Sequence, residues 1–165
     1  MSKIYRLLFV AGSTLLAIGA CREAAMQQSI PNGQIERESV TAVKNGQGGV
    51  RWYSKDQISL GAAVFSQNCA ECHGIKAEGI VENWRRRLED GSFPAPPLNG
   101  TAHSWHHPTS MLLQVINYGG APYGGNMPSF ETVLEDKEKL ASIAYFQNFW
   151  TDEIYAQWER MGGTN

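Results

Sequence analysis

The chain of 165 residues has only three cysteines, Cys21, Cys69 and Cys72. Three thiols cannot make the disulfide framework of a small secreted scaffold, and an odd count points to separate jobs. Charge of one sign is also scarce. Fourteen Lys and Arg stand against 16 Asp and Glu, a formal net charge of −2, so nothing suggests a nucleic-acid partner. Long hydrophobic runs are missing too. The apolar stretch from Leu7 to about Ile18 falls short of the ~20 residues that cross a bilayer comfortably. What is left suits one small globular domain.

Lys3 and Arg6 precede that stretch, and the small residues Gly19 and Ala20 follow it. Charged, then apolar, then small is the order of a secretory signal. Ile18-Gly19-Ala20-Cys21 resembles the bacterial lipobox. The resemblance implies cleavage before Cys21, a lipid on its thiol and an acylated new amino end. An ordinary signal peptide and a retained anchor are the alternatives. Each acyl CH₂ buried in a membrane contributes ~0.8 kcal/mol, so several chains on one residue give durable anchoring. Removing residues 1–20 takes away two of the 14 basic residues and no acidic one, leaving 12 − 16 = −4. Arg22 follows Cys21; by resemblance to enteric lipoproteins this leans toward the outer membrane.

Residues 21–53 read as a lipidated cysteine followed by a flexible linker. Segments such as Pro31-Asn32-Gly33-Gln34 and Asn45-Gly46-Gln47-Gly48-Gly49 are polar, broken by Pro and Gly, and carry no sustained helical or strand period. About 32 such residues span roughly 30 Å on average. Trp52 and Tyr53, at the linker's end, are expected to pack on the following domain.

The chemistry lies in Gln67-Asn68-Cys69-Ala70-Glu71-Cys72-His73-Gly74. Cys-x-x-Cys-His is the attachment pattern of c-type haem. Two thiols three apart on a helical turn share a face and reach the two vinyl groups of one porphyrin, and the next residue falls under the iron. Zinc would need a second donor pair, for which the later histidines are the only candidates. A thioredoxin-like pair would sit in a βαβ pattern, and none is visible.

Further segments extend the pattern. Ser54 and Gln57 form a capping box ahead of a helix whose apolar face holds Leu60, Gly61, Val64 and Phe65. Pro96-Pro97-Leu98-Asn99-Gly100 follows, then Gly124-Gly125-Asn126-Met127-Pro128, and a last striped helix starts near Glu135 or Asp136 and carries Tyr145. Together these resemble the class I cytochromes c over residues 54–151. The resemblance implies an all-α fold wrapped around one covalent haem c. In that family Gly61 and Phe65 would cross the last helix near Tyr145, and the Pro96 carbonyl would accept a bond from Nδ1 of His73. Leu98 would pack on the porphyrin, and Met127, 54 positions after His73, would be the distal ligand. Met111, in a helical stretch from Ser110 to Tyr118, is the rival methionine and is expected to pack in the core.

Some features depart from the compact members. The interval from His73 to Pro96 is long and holds Asn83-Trp84-Arg85-Arg86-Arg87-Leu88. It reads as an inserted short helix with a basic face, either solvated or serving as a docking patch or a site near the propionates. Residues 152–165 form a C-terminal extension in which Ile154, Tyr155 and Trp158 are expected to pack back. His103-Ser104-Trp105-His106-His107-Pro108 reads as a loop of hydrogen-bonded imidazoles. A second metal or a replacement axial ligand are the alternatives, and Pro108 disfavours helix just before it.

The function implied is one-electron transfer in the bacterial cell envelope, lipid-anchored and facing the periplasm. Redox proteins are the expected partners, with no nucleic acid, no small-molecule substrate and no catalysis of its own. A haem subunit of a membrane oxidase, reductase or dehydrogenase is the second reading. A haem enzyme or gas sensor with an open distal site is the third.

Overall fold

The computed structural model describes residues 50–165. The signal segment, Cys21 and most of the expected linker lie outside the described residues. Five helices follow in order: α1 (Lys55–Asn68), α2 (Ala70–His73), α3 (Thr109–Tyr118), α4 (Asp136–Gln147) and α5 (Asp152–Arg160). Short 3₁₀ turns lie at Ser104–His106 and Ala121–Tyr123. Among the described residues there is no strand; an isolated bridge joins Phe93 and Gly125. The fold is all-α, as expected.

Local chemistry sets the helix starts. The Ser54 hydroxyl accepts from the Gln57 backbone N–H at 3.2 Å, and the Gln57 side chain accepts from Ser54 N–H at 2.8 Å. Glu135 and Glu138 form the same reciprocal pair at the start of α4. Each pair satisfies two N–H groups that the helix itself leaves open.

Helices α1 and α4 cross at Gly61. A Cβ there would collide with the Ala141 carbonyl and lie 2.9 Å from Tyr145 Cβ, so only glycine lets the two backbones come this close. Phe65 packs against Tyr145 at 5.1 Å between ring centroids. Leu60 is a correction: it is 37% exposed and turns to solvent, while Gly61, Val64 and Phe65 are buried. The side chain next to Gly61 falls on the far side of a helix whose narrow face meets α4.

The two ends of the described segment close the core. Trp158 on α5 has no exposed surface, and its indole N–H donates to the His107 carbonyl at 2.9 Å. Pro108, before α3, offers no capping side chain. The last residues supply the acceptors instead: Thr109 N–H donates to the Gly163 carbonyl (2.7 Å) and Ser110 N–H to that of Asn165 (3.1 Å). Residues 152–165 are thus built into the domain. At the front, Tyr53 is fully buried and Trp52 half-buried, and the Trp52 indole N–H donates to Gln147 at 2.7 Å. Arg51 is also buried, so ordered packing begins before residue 54. No described helix is long and apolar enough to cross a membrane.

Candidate haem site

Helix α1 ends at Cys69, which caps both it and the one-turn α2. His73 N–H donates to the Cys69 carbonyl at 3.0 Å. The motif is therefore wound as a helical turn, with Cys69 half-buried, Cys72 exposed and His73 buried. Burial is the main cause that pushes the Cys69 thiol up to about 11, with the neighbouring Cys72 adding to it.

The segment after His73 folds back to meet residues 96–99. Gly79 N–H donates to the His73 carbonyl at 2.6 Å, and Leu98 and Asn99 N–H both donate to the carbonyl of Ala77, at 2.7 and 3.1 Å. Ala77 sits at φ +58° with no exposed surface. This turn brings the His73 Nδ1 to 2.9 Å from the Pro96 carbonyl. A carbonyl only accepts, so Nδ1 carries the proton and Nε2 keeps its lone pair. Burial lowers the His73 pKa, partly offset by the Pro96 bond, which favours the neutral, ligating form. Leu98 is half-buried against the core, and its carbonyl accepts from the Trp150 indole N–H at 2.7 Å.

Met127 is half-buried and placed by a different set of bonds. Its carbonyl accepts from Gly120 N–H at 2.9 Å. A Cβ at Gly119, where φ is +82°, would lie 2.6 Å from that same carbonyl, so the turn after α3 must be glycine. Ser129 and Asn117 are joined by a side-chain to backbone hydrogen bond. Met111 is half-buried on α3, where Leu112 is the buried residue.

The expected helix over 83–88 does not form. Residues 84–86 make a turn, with Arg86 N–H donating to the Asn83 carbonyl at 3.1 Å. A helix this short is marginal in water, and two of the three arginines lie over aromatic rings instead. Arg85 lies over Trp84 at 4.2 Å and Arg87 over Phe93 at 4.0 Å. The segment also meets the histidine cluster, which the sequence treats as unrelated. Trp84 stacks on His103 at 4.8 Å, and His103 meets His107 edge-on at 5.3 Å. His106 lies against Trp105 at 3.7 Å. Trp84 on His103 is a stacked pair, whereas the His103–His107 and Trp105–His106 pairs are edge-on and tilted. Among the described residues no group of three or more His, Cys, Asp or Glu could hold a metal ion.

Two features carried no local signal. Arg51 pairs with Asp152 at 2.6 Å, and Asn126 bonds Asp90 and Ser92. The partners lie far apart in sequence, so no short motif could have joined them.

Comparison with known proteins gives one family, described as "Cytochrome C oxidase, cbb3-type, subunit III", matching residues 56–146. The "Cbb3-type cytochrome c oxidase subunit CcoP" of Rhodobacter capsulatus is 30% identical over 88 residues, covering 53% of this chain and 25% of that protein. The "Cbb3-type cytochrome c oxidase subunit FixP" of Sinorhizobium medicae (strain WSM419) is 30% identical over 94 residues, covering 53% and 28%. The chain thus spans about a quarter of the length of these relatives. No solved structure gives a significant match. A family of this kind implies covalently bound haem c, and the residues present fit it. Two free thiols stand at the required spacing beside an imidazole whose Nδ1 is already engaged. With more than half of its 165 residues matched, the chain belongs to this c-type cytochrome family.

Proposed function

We propose that the protein is a one-electron carrier of the bacterial cell envelope, tethered to a membrane by lipid on Cys21 and facing the periplasm. Haem iron, alternating between ferrous and ferric states, supplies the redox chemistry. Cys69 and Cys72 would hold the porphyrin through thioethers, and His73 would offer Nε2 to the iron. The observation that carries this reading is the 2.9 Å bond from His73 Nδ1 to the Pro96 carbonyl. It fixes the tautomer, aims the ring and raises its donor strength. Leu98 would lie against the porphyrin. Met127 would hold the iron through a soft thioether, which favours the ferrous state and raises the potential. With His73 and Met127 both holding the iron, the protein would act by electron transfer alone. Redox proteins would be its partners, met in small, short-lived interfaces under ~1,200 Å².

The test is a reduced-minus-oxidised spectrum together with the mass of the exported chain. A Soret band and a mass raised by one haem support the reading. A folded, exported chain with neither would end it.

A second reading makes the domain a haem subunit of a membrane oxidase. It is favoured by the printed names of the two relatives, both oxidase subunits. Solubilisation in mild detergent separates the two readings. Co-purification of a membrane enzyme in fixed ratio supports the subunit, and a protein that runs alone supports the carrier.

A further inference from the structure

The loop that carries Met127 is held from two sides. One side is the end of α3, through Gly120 N–H to the Met127 carbonyl at 2.9 Å and Phe130 N–H to the Ile116 carbonyl at 2.9 Å. The other side is the long interval between His73 and Pro96. There Phe93 N–H donates to the Gly124 carbonyl at 2.7 Å. The side chain of Asn126, the residue directly before Met127, reaches the same interval. Its Nδ2 donates to Asp90 Oδ2 at 3.0 Å and to Ser92 Oγ at 2.8 Å.

The acceptors stand ready without Asn126. Ser92 N–H and Ser92 Oγ both bond Asp90 Oδ1, at 2.8 and 2.6 Å. A hydroxyl has one proton. Giving it to Asp90 Oδ1 leaves the Ser92 lone pairs for Asn126, and Asp90 Oδ2 is free to accept the second amide proton. The turn is closed beneath them by Leu88 N–H to the Ser92 carbonyl at 2.8 Å. One amide group therefore meets two acceptors already fixed in place, which lowers the entropy lost when the bonds form.

We propose that Asn126, with Asp90 and Ser92 as its acceptors, is a positioning residue that keeps the Met127 loop closed on the haem iron. The segment from Arg87 to Phe93 is then a clamp on the distal ligand and not a spacer. This rests on the reading of Met127 as that ligand. A thioether is a weak donor, and small changes in what holds its loop alter the fraction of molecules with the iron open. A ligand that needs the open form binds with an apparent affinity set by that fraction. The bonds are exposed, and water competes for them. Losing both should raise the open fraction by about three- to tenfold.

The experiment uses the full-length ferric holoprotein titrated with imidazole, followed by absorption, with the midpoint potential measured alongside. Asn126→Ala should bind imidazole about three- to tenfold more tightly than wild type and have a lower potential. Asp90→Ala should do the same, and the double variant should add little to either single one. Ser92→Thr keeps the hydroxyl and should match wild type. In a Met127→Ala background, Asn126→Ala should change nothing. If Met127→Ala tightens imidazole binding but Asn126→Ala and Asp90→Ala leave it at the wild-type value, the clamp is overturned and the ligand stands. If Met127→Ala itself leaves imidazole binding unchanged, the ligand reading fails, and the clamp with it. Should Asn126→Ala not fold, Asp90→Ala and Ser92→Ala ask the same question from the acceptor side.

Discussion

The guanidinium of Arg51 donates to the carboxylate of Asp152 at 2.6 Å, joining residues 101 positions apart. Arg51 is only 3% exposed and also lies over the Tyr155 ring at 3.9 Å. The contact fastens the front of the domain to α5. Removing Arg51 loses a charge-assisted hydrogen bond but leaves Asp152 partly open to water, its side chain 24% exposed. Arg51→Met should therefore cost about 2 kcal/mol of unfolding free energy, seen as a lower denaturant midpoint at constant slope. The haem spectrum should not move. A shift within error of zero would mean that the pair contributes nothing.

Gly61→Ala tests the helix crossing. On propensity alone the change should stabilise α1 by about 1 kcal/mol. The added methyl, however, would meet the backbone of Ala141, which cannot turn aside as a flexible side chain can. Overpacking of this kind costs about 1–3 kcal/mol, and more where backbone must shift. The expected outcome is a lower melting temperature. A higher one would show that α1 and α4 can separate at little cost.

Met127→Ala should open the iron to carbon monoxide in the reduced protein and lower the midpoint potential. If Met127 is the ligand, loss of the thioether would remove the donor that favours ferrous iron. The checks are absorption under carbon monoxide and a redox titration. An unchanged spectrum and potential would move the distal ligand elsewhere.

Acid should weaken the fold through the stacked histidines. His103 and His107 are both held below their ordinary value of 6.5, chiefly by burial. His106 pushes both down further, and His107 and Arg85 also act on His103. Above about pH 6.5 both rings are neutral folded or unfolded, and stability is at its full value. As pH falls below that, the unfolded chain binds protons first, so stability is lost until the folded-state values are passed. The loss measured between about pH 7 and 5 should shrink in His103→Gln/His107→Gln. An identical pH profile in that variant would place the effect on other groups.

Cys21→Ser should release the protein from membranes, provided that it is still exported and cut. Fractionation with antibody detection reads this directly. A variant as firmly membrane-bound as wild type would count against a lipid at Cys21.

The haem-attachment motif and its proximal bond were legible in the sequence because they are local or carried by short patterns. Cys69, Cys72 and His73 lie on one turn, and Pro96-Pro97-Leu98 is a compact signature. The start of α1 was legible for the same reason: Ser54 and Gln57 are a reciprocal cap within one turn, whereas the matching Glu135–Glu138 pair at the start of α4 emerged only in the structure. Leu60 was misread because apolar character does not say which side of a helix meets its neighbour. The helix expected over 83–88 failed because isolated short helices are marginal in water; Arg85 and Arg87 lie over Trp84 and Phe93 instead.

The amino-acid sequence by itself determined the chemistry: which atoms can form thioethers, which ring can ligate iron, and where helices begin. Those properties depend on residue type and on spacings of a few positions. Only the tertiary structure decided that the last residues cap α3, that Arg51 meets Asp152, and that Asn126 ties the Met127 loop to Asp90 and Ser92. Such contacts join segments tens of residues apart. Their partners are chosen by how the whole chain packs, which no short stretch of it can specify.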